Sequence, residues 1–146
     1  MGWQQAFYSV SNPEKYAGDV TKVFYRSSWE LDAFAFCDNN PNVLLWSSEE
    51  IAIPYTRPAS NGGMRPAKYY PDLYIEYKNT NGILCKDLIE IKPKKQTKPS
   101  KSRKPKNKLF ENSIWVINQL KWEAARNWCK DKGITFRIIT ENEQFK

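Results

Sequence analysis

Apolar and polar positions along the chain predict several strands before any chemistry is considered. Five runs have the length and the β-branched or aromatic content of strands: 43–46, 51–55, about 69–78, 83–92 and 134–140. The Asn81-Gly82 pair between the third and fourth runs is a strong hairpin signal, because both residues tolerate the backbone of a tight turn. These two runs are therefore expected to pair as neighbouring antiparallel strands.

Two other stretches predict helices. Ser27 followed by Glu30 fits a capping box at the start of the first helix, and Pro41 lies just beyond its end. Residues 109–131 have apolar side chains at helical spacing, and Gly133 fits the C-cap of this second helix. Because the second helix separates the last two strands, it allows them to be parallel.

The remaining segments show no clear period. Residues 1–26 carry scattered aromatic side chains and are predicted to be irregular, and residues 56–68 contain Gly and Pro and predict a loop or hairpin tip. A chain of 146 residues suggests one domain with its own core. The order of elements predicts an α/β fold over residues 1–146, with a mixed central sheet flanked by helices.

Composition excludes several kinds of chemistry. The chain has no histidine, which removes Ser-His and Cys-His nucleophile pairs and the usual zinc sites. Catalysis would have to use carboxylates, lysine and an ion that prefers oxygen ligands, such as Mg²⁺ or Mn²⁺. Cys37, Cys85 and Cys129 are far apart, which predicts reduced thiols in the cytoplasm. No apolar run reaches the ~18 residues of a membrane span, so we expect no membrane association.

The net charge of +7 comes from one segment. Residues 92–108 contain eight Lys and one Arg without an acid, and the rest of the chain has 14 basic and 16 acidic residues. Its three prolines argue against a continuous helix. We expect residues 93–108 to form a flexible arm that binds DNA phosphates through Lys94, Lys95, Lys98, Lys101, Arg103, Lys104, Lys106 and Lys108. A solvated basic patch is the alternative interpretation.

Two acids and a lysine form the candidate catalytic group. Glu90 and Lys92 lie two residues apart on one predicted strand, so they share a face at about 7 Å. Asp72 would meet them if its strand is the neighbour. The two carboxylates and the Ile91 carbonyl could then hold a divalent ion, beside a lysine that orients water or offsets phosphate charge. The alternative is an ordinary Glu90–Lys92 ion pair, and Glu30 is either a capping residue or a third carboxylate.

These residues resemble the PD-(D/E)xK nuclease superfamily. Pro71-Asp72 and Glu90-Ile91-Lys92 match its two elements, and residues 25–30 are similar to the Ser-x-Trp-Glu helix of transposase-type endonucleases in this superfamily. Residues 46–51 and 118–125 resemble the head-completion nucleases of T4-type tailed phages. The resemblance covers most of residues 20–140, without a clear match for the 56–68 loop.

The resemblance implies a restriction-endonuclease-like fold and Mg²⁺- or Mn²⁺-dependent DNA cleavage during phage head maturation. It assigns catalysis to Glu30, Asp72, Glu90 and Lys92. It also implies DNA as the partner, phage head, portal or neck proteins as further candidates, and a location in the host cytoplasm or the virion.

Other functions stay open from the sequence. The chain could be a non-catalytic DNA-binding protein of virion assembly, or a junction-resolving or transposase-type endonuclease on the same fold. Lys121 on the second helix either lines a DNA path or belongs to a solvated helix face, and Trp122 beside it is expected to pack in the core. Endonuclease or exonuclease preference and the oligomeric state are not determined.

Overall fold

A computed structural model describes residues 5–92, 98–99, 101 and 103–140, with the side chains of 106–111 outside the description. The strands are β1 (Ala6–Phe7), β2 (Phe24–Tyr25), β3 (Val43–Ser47), β4 (Ile53–Pro58), β5 (Met64–Tyr69), β6 (Leu73–Lys78), β7 (Leu84–Ile91) and β8 (Thr135–Ile139). The helices are α1 (Ser28–Asn39) and α2 (Pro105–Lys130), and two short 3₁₀ turns occupy Pro13–Lys15 and Val20–Lys22.

The central sheet has four strands in the order β3-β6-β7-β8. The β3–β6 and β6–β7 pairs are antiparallel, whereas β7 and β8 are parallel and are joined through α2. The β6–β7 turn contains Gly82 with a φ of 75°, a conformation that glycine adopts without a steric penalty. The predicted mixed sheet, its hairpin and the parallel last pair are therefore confirmed, in a restriction-endonuclease-like arrangement.

One helix covers each face of this sheet. Alternate residues along a strand point to opposite faces, so Ile89 packs in the core beneath α1 and Leu88 packs in the core beneath α2. Phe34 on α1 contacts Trp46, with ring centroids 5.5 Å apart. Trp122 on α2 is almost fully buried, which confirms its expected packing role.

Residues 56–68, predicted as a loop or hairpin tip, belong to a two-stranded hairpin. β4 and β5 pair from Ile53↔Tyr69 to Pro58↔Met64, and only residues 59–63 form the turn. The apolar pattern failed here because most of the hairpin's positions are exposed, and prolines are tolerated at unpaired sheet edges. The hairpin packs against α2 and completes the core on the α2 side of the sheet.

The N-terminal segment is mostly irregular in backbone but contributes to the core. Tyr16 packs edge-on against Trp46 at 4.7 Å, and Val23 is fully buried. The buried carboxylate of Asp38 on α1 accepts hydrogen bonds from the Tyr8 hydroxyl and from the backbone N–H groups of Ser11 and Asn12. These single anchors have no sequence period, so the pattern of apolar residues did not reveal them.

Helix α2 begins four residues before the predicted position, which shortens the expected 93–108 arm. Pro105 occupies the first turn of α2, where its missing N–H removes no helical hydrogen bond. Lys98, Lys101, Arg103 and Lys104 are exposed before the helix, and the predicted contacts of Lys94 and Lys95 lie outside the described residues. Lys106 and Lys108 belong to the helix rather than to an arm.

Neither helix of the described chain combines the length and the apolar content that a membrane crossing requires.

Candidate active site

The site forms at one end of the β6–β7 hairpin. The register pairs Leu73 with Ile89, which places Asp72, the residue just before β6, beside Glu90. Asp72 Oδ2 accepts the Ile91 N–H at 2.7 Å, so the aspartate is tied to the backbone of the neighbouring strand. The predicted meeting of Asp72 with the Glu90–Lys92 strand is therefore what the structure contains.

Glu90 is held from two sides. Its side chain is buried, and its Oε1 accepts a 2.7 Å hydrogen bond from the Tyr69 hydroxyl. Its Oε2 lies 3.5 Å from Lys92 Nζ, whose side chain is 25% exposed. The Lys92 N–H donates to the Ile139 carbonyl at 3.0 Å, which extends the β7–β8 pairing by one step. The Glu90–Lys92 ion pair of the alternative interpretation exists, and its glutamate is buried.

Asp72 and Glu90 lie side by side, and the positive charge around them is too small to make ionisation of Asp72 favourable. Burial raises the pKa of Asp72 well above its usual range, and the charges of Glu90 and Glu30 raise this pKa further. The Ile91 N–H opposes the shift without cancelling it. A bound cation would relieve the repulsion that makes ionisation of Asp72 unfavourable.

The donor set fits a hard divalent ion. Carboxylate and carbonyl oxygens are the protein ligands that Mg²⁺ and Mn²⁺ prefer. Within the described residues, no group of three acidic, cysteine or histidine side chains could hold an ion. An ion at this position would therefore bind Asp72, Glu90, a backbone carbonyl such as that of Ile91, and water.

Glu30 acts as a cap and also lies near the acids. The Ser27 hydroxyl accepts the Glu30 N–H at 3.1 Å, and Glu30 Oε1 accepts the Arg26 N–H at 3.0 Å. Burial raises the pKa of Glu30, Arg26 opposes this, and Glu49 and Glu90 add to it. Glu30 is thus close enough to affect the pKa of Asp72. Its side-chain hydrogen bond with the Arg26 N–H stabilises the start of α1.

Tyr69 and Lys121 complete the surroundings of Glu90. Burial and the Glu90 charge raise the pKa of Tyr69, so the phenol stays protonated and able to donate. Lys121 Nζ lies 5.7 Å from the Tyr69 ring centroid. Burial, followed by the charge of Lys92, lowers the pKa of Lys121. Lys121 is half-buried beside the acids, so its interpretation as a solvated face residue is wrong.

Sequence reasoning missed Tyr69 and underestimated Lys121. Tyr69 stands three residues before Asp72, and its position next to the motif was the available signal. Lys121 carried no comparable signal, because its place depends on the rotation of α2 over the sheet.

Comparisons with known proteins place the chain among nucleases. The family described as TnsA-like endonuclease N terminal matches residues 40–141. The chain is 39% identical over 137 residues to the head completion nuclease of Enterobacteria phage T4, a match that covers 90% of this chain and 87% of that protein. The family match includes Asp72, Glu90, Lys92 and Lys121, while Glu30 precedes it.

Proposed function

Since the chain belongs to the TnsA-like endonuclease family, we propose that its nuclease activity is metal-dependent hydrolysis of DNA phosphodiester bonds at Asp72, Glu90 and Lys92. The observation that carries this proposal is the pair of adjacent carboxylates whose charges are not balanced, with a lysine 3.5 Å from one of them. Repulsion between two adjacent buried carboxylates destabilises the folded protein, so a purely structural role does not explain why both are present.

Each residue has a role in this proposal. Asp72, Glu90 and the Ile91 carbonyl would hold Mg²⁺ or Mn²⁺, which supplies charge stabilisation and lowers the pKa of a coordinated water. Tyr69 fixes the orientation of Glu90 through its 2.7 Å hydrogen bond. Lys92 orients the attacking water or offsets charge that develops on the phosphate. Glu30 supports the site by its charge and by fixing the start of α1.

The biological setting follows from the similarity to the phage T4 protein. We propose that the chain trims or nicks DNA during phage head completion, in the host cytoplasm or on the virion, where head, portal or neck proteins are candidate partners. The basic segment with Lys98, Lys101, Arg103 and Lys104 would hold the DNA backbone. The family match also supports a transposase-type endonuclease on this fold, and cleavage of branched and linear DNA would separate the two roles.

Plasmid nicking tests the proposed chemistry. Supercoiled plasmid should be nicked with Mg²⁺ and left intact with EDTA, and Asp72→Asn and Lys92→Ala should each reduce the rate by at least about 100-fold. Lys86→Ala is the matched control for Lys92→Ala, because Lys86 lies on the same strand at the opposite end. Nicking that survives both site substitutions would show that the chemistry occurs elsewhere.

A further inference from the structure

The β4–β5 hairpin carries a pair of arginines on its inner face. Arg57 and Arg65 are direct partners across the two strands. The period of two places them on the same face as Tyr55 and Tyr69, which are buried against α2. The inner face of the hairpin therefore changes from buried aromatic residues to two cations as it extends beyond the core.

This pairing is unfavourable for the isolated protein. Like charges directly opposite each other on a hairpin repel. Within the described residues, neither Arg57 nor Arg65 has an acidic side chain at ion-pair distance. The Arg57 Nε is buried and has no hydrogen-bond partner in that part of the chain. Two directly opposed guanidinium groups without a described acidic partner suit an anion that binds from outside.

The same face leads to the proposed active site. At its buried end, Tyr69 donates to Glu90, and Lys121 lies over the Tyr69 ring. Arg57 is near enough to Lys121 to lower the pKa of the lysine. The cations Lys92, Lys121, Arg57 and Arg65 therefore continue from the carboxylates onto the hairpin.

The hairpin arginines lie within a few nucleotides' length of the proposed active site. Arg57 lies four positions along β4 from Ile53, which is the partner of Tyr69. Four positions correspond to about 13 Å along the strand. That length equals about four nucleotides at 3.4 Å of axial rise each. The planar arginine fork can donate two parallel hydrogen bonds to one phosphate, which favours a phosphate over other anions here.

We propose that the inner face of the β4–β5 hairpin binds the DNA phosphate backbone through Arg57 and Arg65, within about four nucleotides of the bond that is cut. This inference rests on the proposed function, since it assumes that the substrate is DNA. The hairpin and the basic segment before α2 would then be two separate sets of phosphate contacts.

Salt-dependent DNA binding tests the inference. An Asp72→Asn protein should bind DNA without cleaving it, so its affinity for a fluorescent duplex can be followed between about 50 and 200 mM NaCl. In that background, Arg65→Ala and Arg57→Ala should each reduce the slope of log K against log salt by about 0.9. Lys68→Ala is the matched control, because Lys68 is an exposed cation on the opposite face of β5 and should leave the slope unchanged.

The possible outcomes separate the two proposals. Arg65 is exposed, so its replacement does not threaten folding and gives the decisive slope. Unchanged slopes for both arginine variants, in a parent that binds DNA and a wild type that nicks plasmid, would overturn the hairpin contact alone. An equal effect of Lys68→Ala would also overturn it, since the contact would not depend on the inner face. A protein that neither binds nor nicks DNA would overturn the proposed function as well.

Discussion

At the scale of single residues, Tyr69 connects the hairpin to the site. Its hydroxyl donates to Glu90 at 2.7 Å, and its ring lies beneath Lys121. The convergence of Asp72 with Glu90 was predictable, because Asn81-Gly82 indicated that the two strands pair as a hairpin. The two acids lie at the ends of these strands that are far from the turn. The position of Tyr69 was not predictable in the same way. It depends on how a separate hairpin folds back over α2, and no local pattern encodes that approach.

Replacing Tyr69 tests its positioning role. Tyr69→Phe keeps the ring in the core but removes the donor, so Glu90 should lose its fixed orientation. A hydrogen bond to a charged group contributes about 1.5–3 kcal/mol, which corresponds to about a 10- to 100-fold slower nicking rate. The measurement is the nicking rate against Mg²⁺ concentration, since a misoriented ligand should also raise the Mg²⁺ requirement. Tyr70→Phe is the control, because Tyr70 is the exposed neighbour. A rate and Mg²⁺ requirement equal to wild type would contradict the role.

At the scale of elements, the sequence predicted the sheet better than the segments around it. Strands β6 and β7 were found because each has a long apolar run, and β8 because it follows a helix with a clear C-cap. For the β4–β5 hairpin, the sequence predicted a strand over 51–55 and a loop or hairpin tip over 56–68. It missed how far the pairing extends, because the inner face ends in Arg57 and Arg65 and other positions include prolines. Helix α2 was placed too late because Pro105 suggested a break, whereas a proline in the first turn is compatible with a helix.

The basic segment before α2 carries its own prediction. Neutralising Lys98, Lys101, Arg103 and Lys104 together should weaken DNA binding and reduce the salt slope by about 0.9 for each phosphate group that the segment no longer binds. The measurement is a salt titration of duplex affinity in the Asp72→Asn background. Replacing the four exposed lysines Lys22, Lys68, Lys78 and Lys130 by alanine controls for net charge, since it removes the same charge outside the segment. A slope equal to that of the parent protein would exclude the segment from the interface.

At the scale of the whole molecule, Asp38 holds the N-terminal segment against α1 through hydrogen bonds. Burial raises the pKa of this carboxyl, but the N–H groups of Ser11 and Asn12 and the Tyr8 hydroxyl outweigh burial and hold it below its usual range. A carboxyl with a depressed pKa stabilises the folded protein above its ordinary pKa, and this contribution is lost as the pH falls through the folded value. One buried carboxylate thus contributes to holding a segment that apolar contacts of Tyr16 and Val23 also anchor.

Thermal unfolding tests this dependence. Asp38→Asn replaces an acceptor oxygen by an amide group that faces other donors, so it should destabilise the protein by about 1–3 kcal/mol near neutral pH. Each kcal/mol corresponds to about 2–4 °C in Tm for a protein of this size. The difference from wild type should shrink as the pH falls below the ordinary pKa of an aspartate towards the lowered pKa of the folded Asp38 carboxyl. Asp32→Asn on the exposed side of α1 should show neither effect. A Tm difference that stays constant with pH would refute the role of the Asp38 charge.

The hydrogen bonds of the two carboxylates at the site also bear on which ion it selects. Tyr69 engages one oxygen of Glu90, and the Ile91 N–H engages one oxygen of Asp72. Few protein oxygens are left to replace a hydration shell, so an ion held here would keep most of its own water. Such a half-hydrated state suits Mg²⁺, which sheds water reluctantly, better than Ca²⁺, which seeks six to eight oxygen ligands. Retained waters would also leave a nucleophile already in place beside the phosphate.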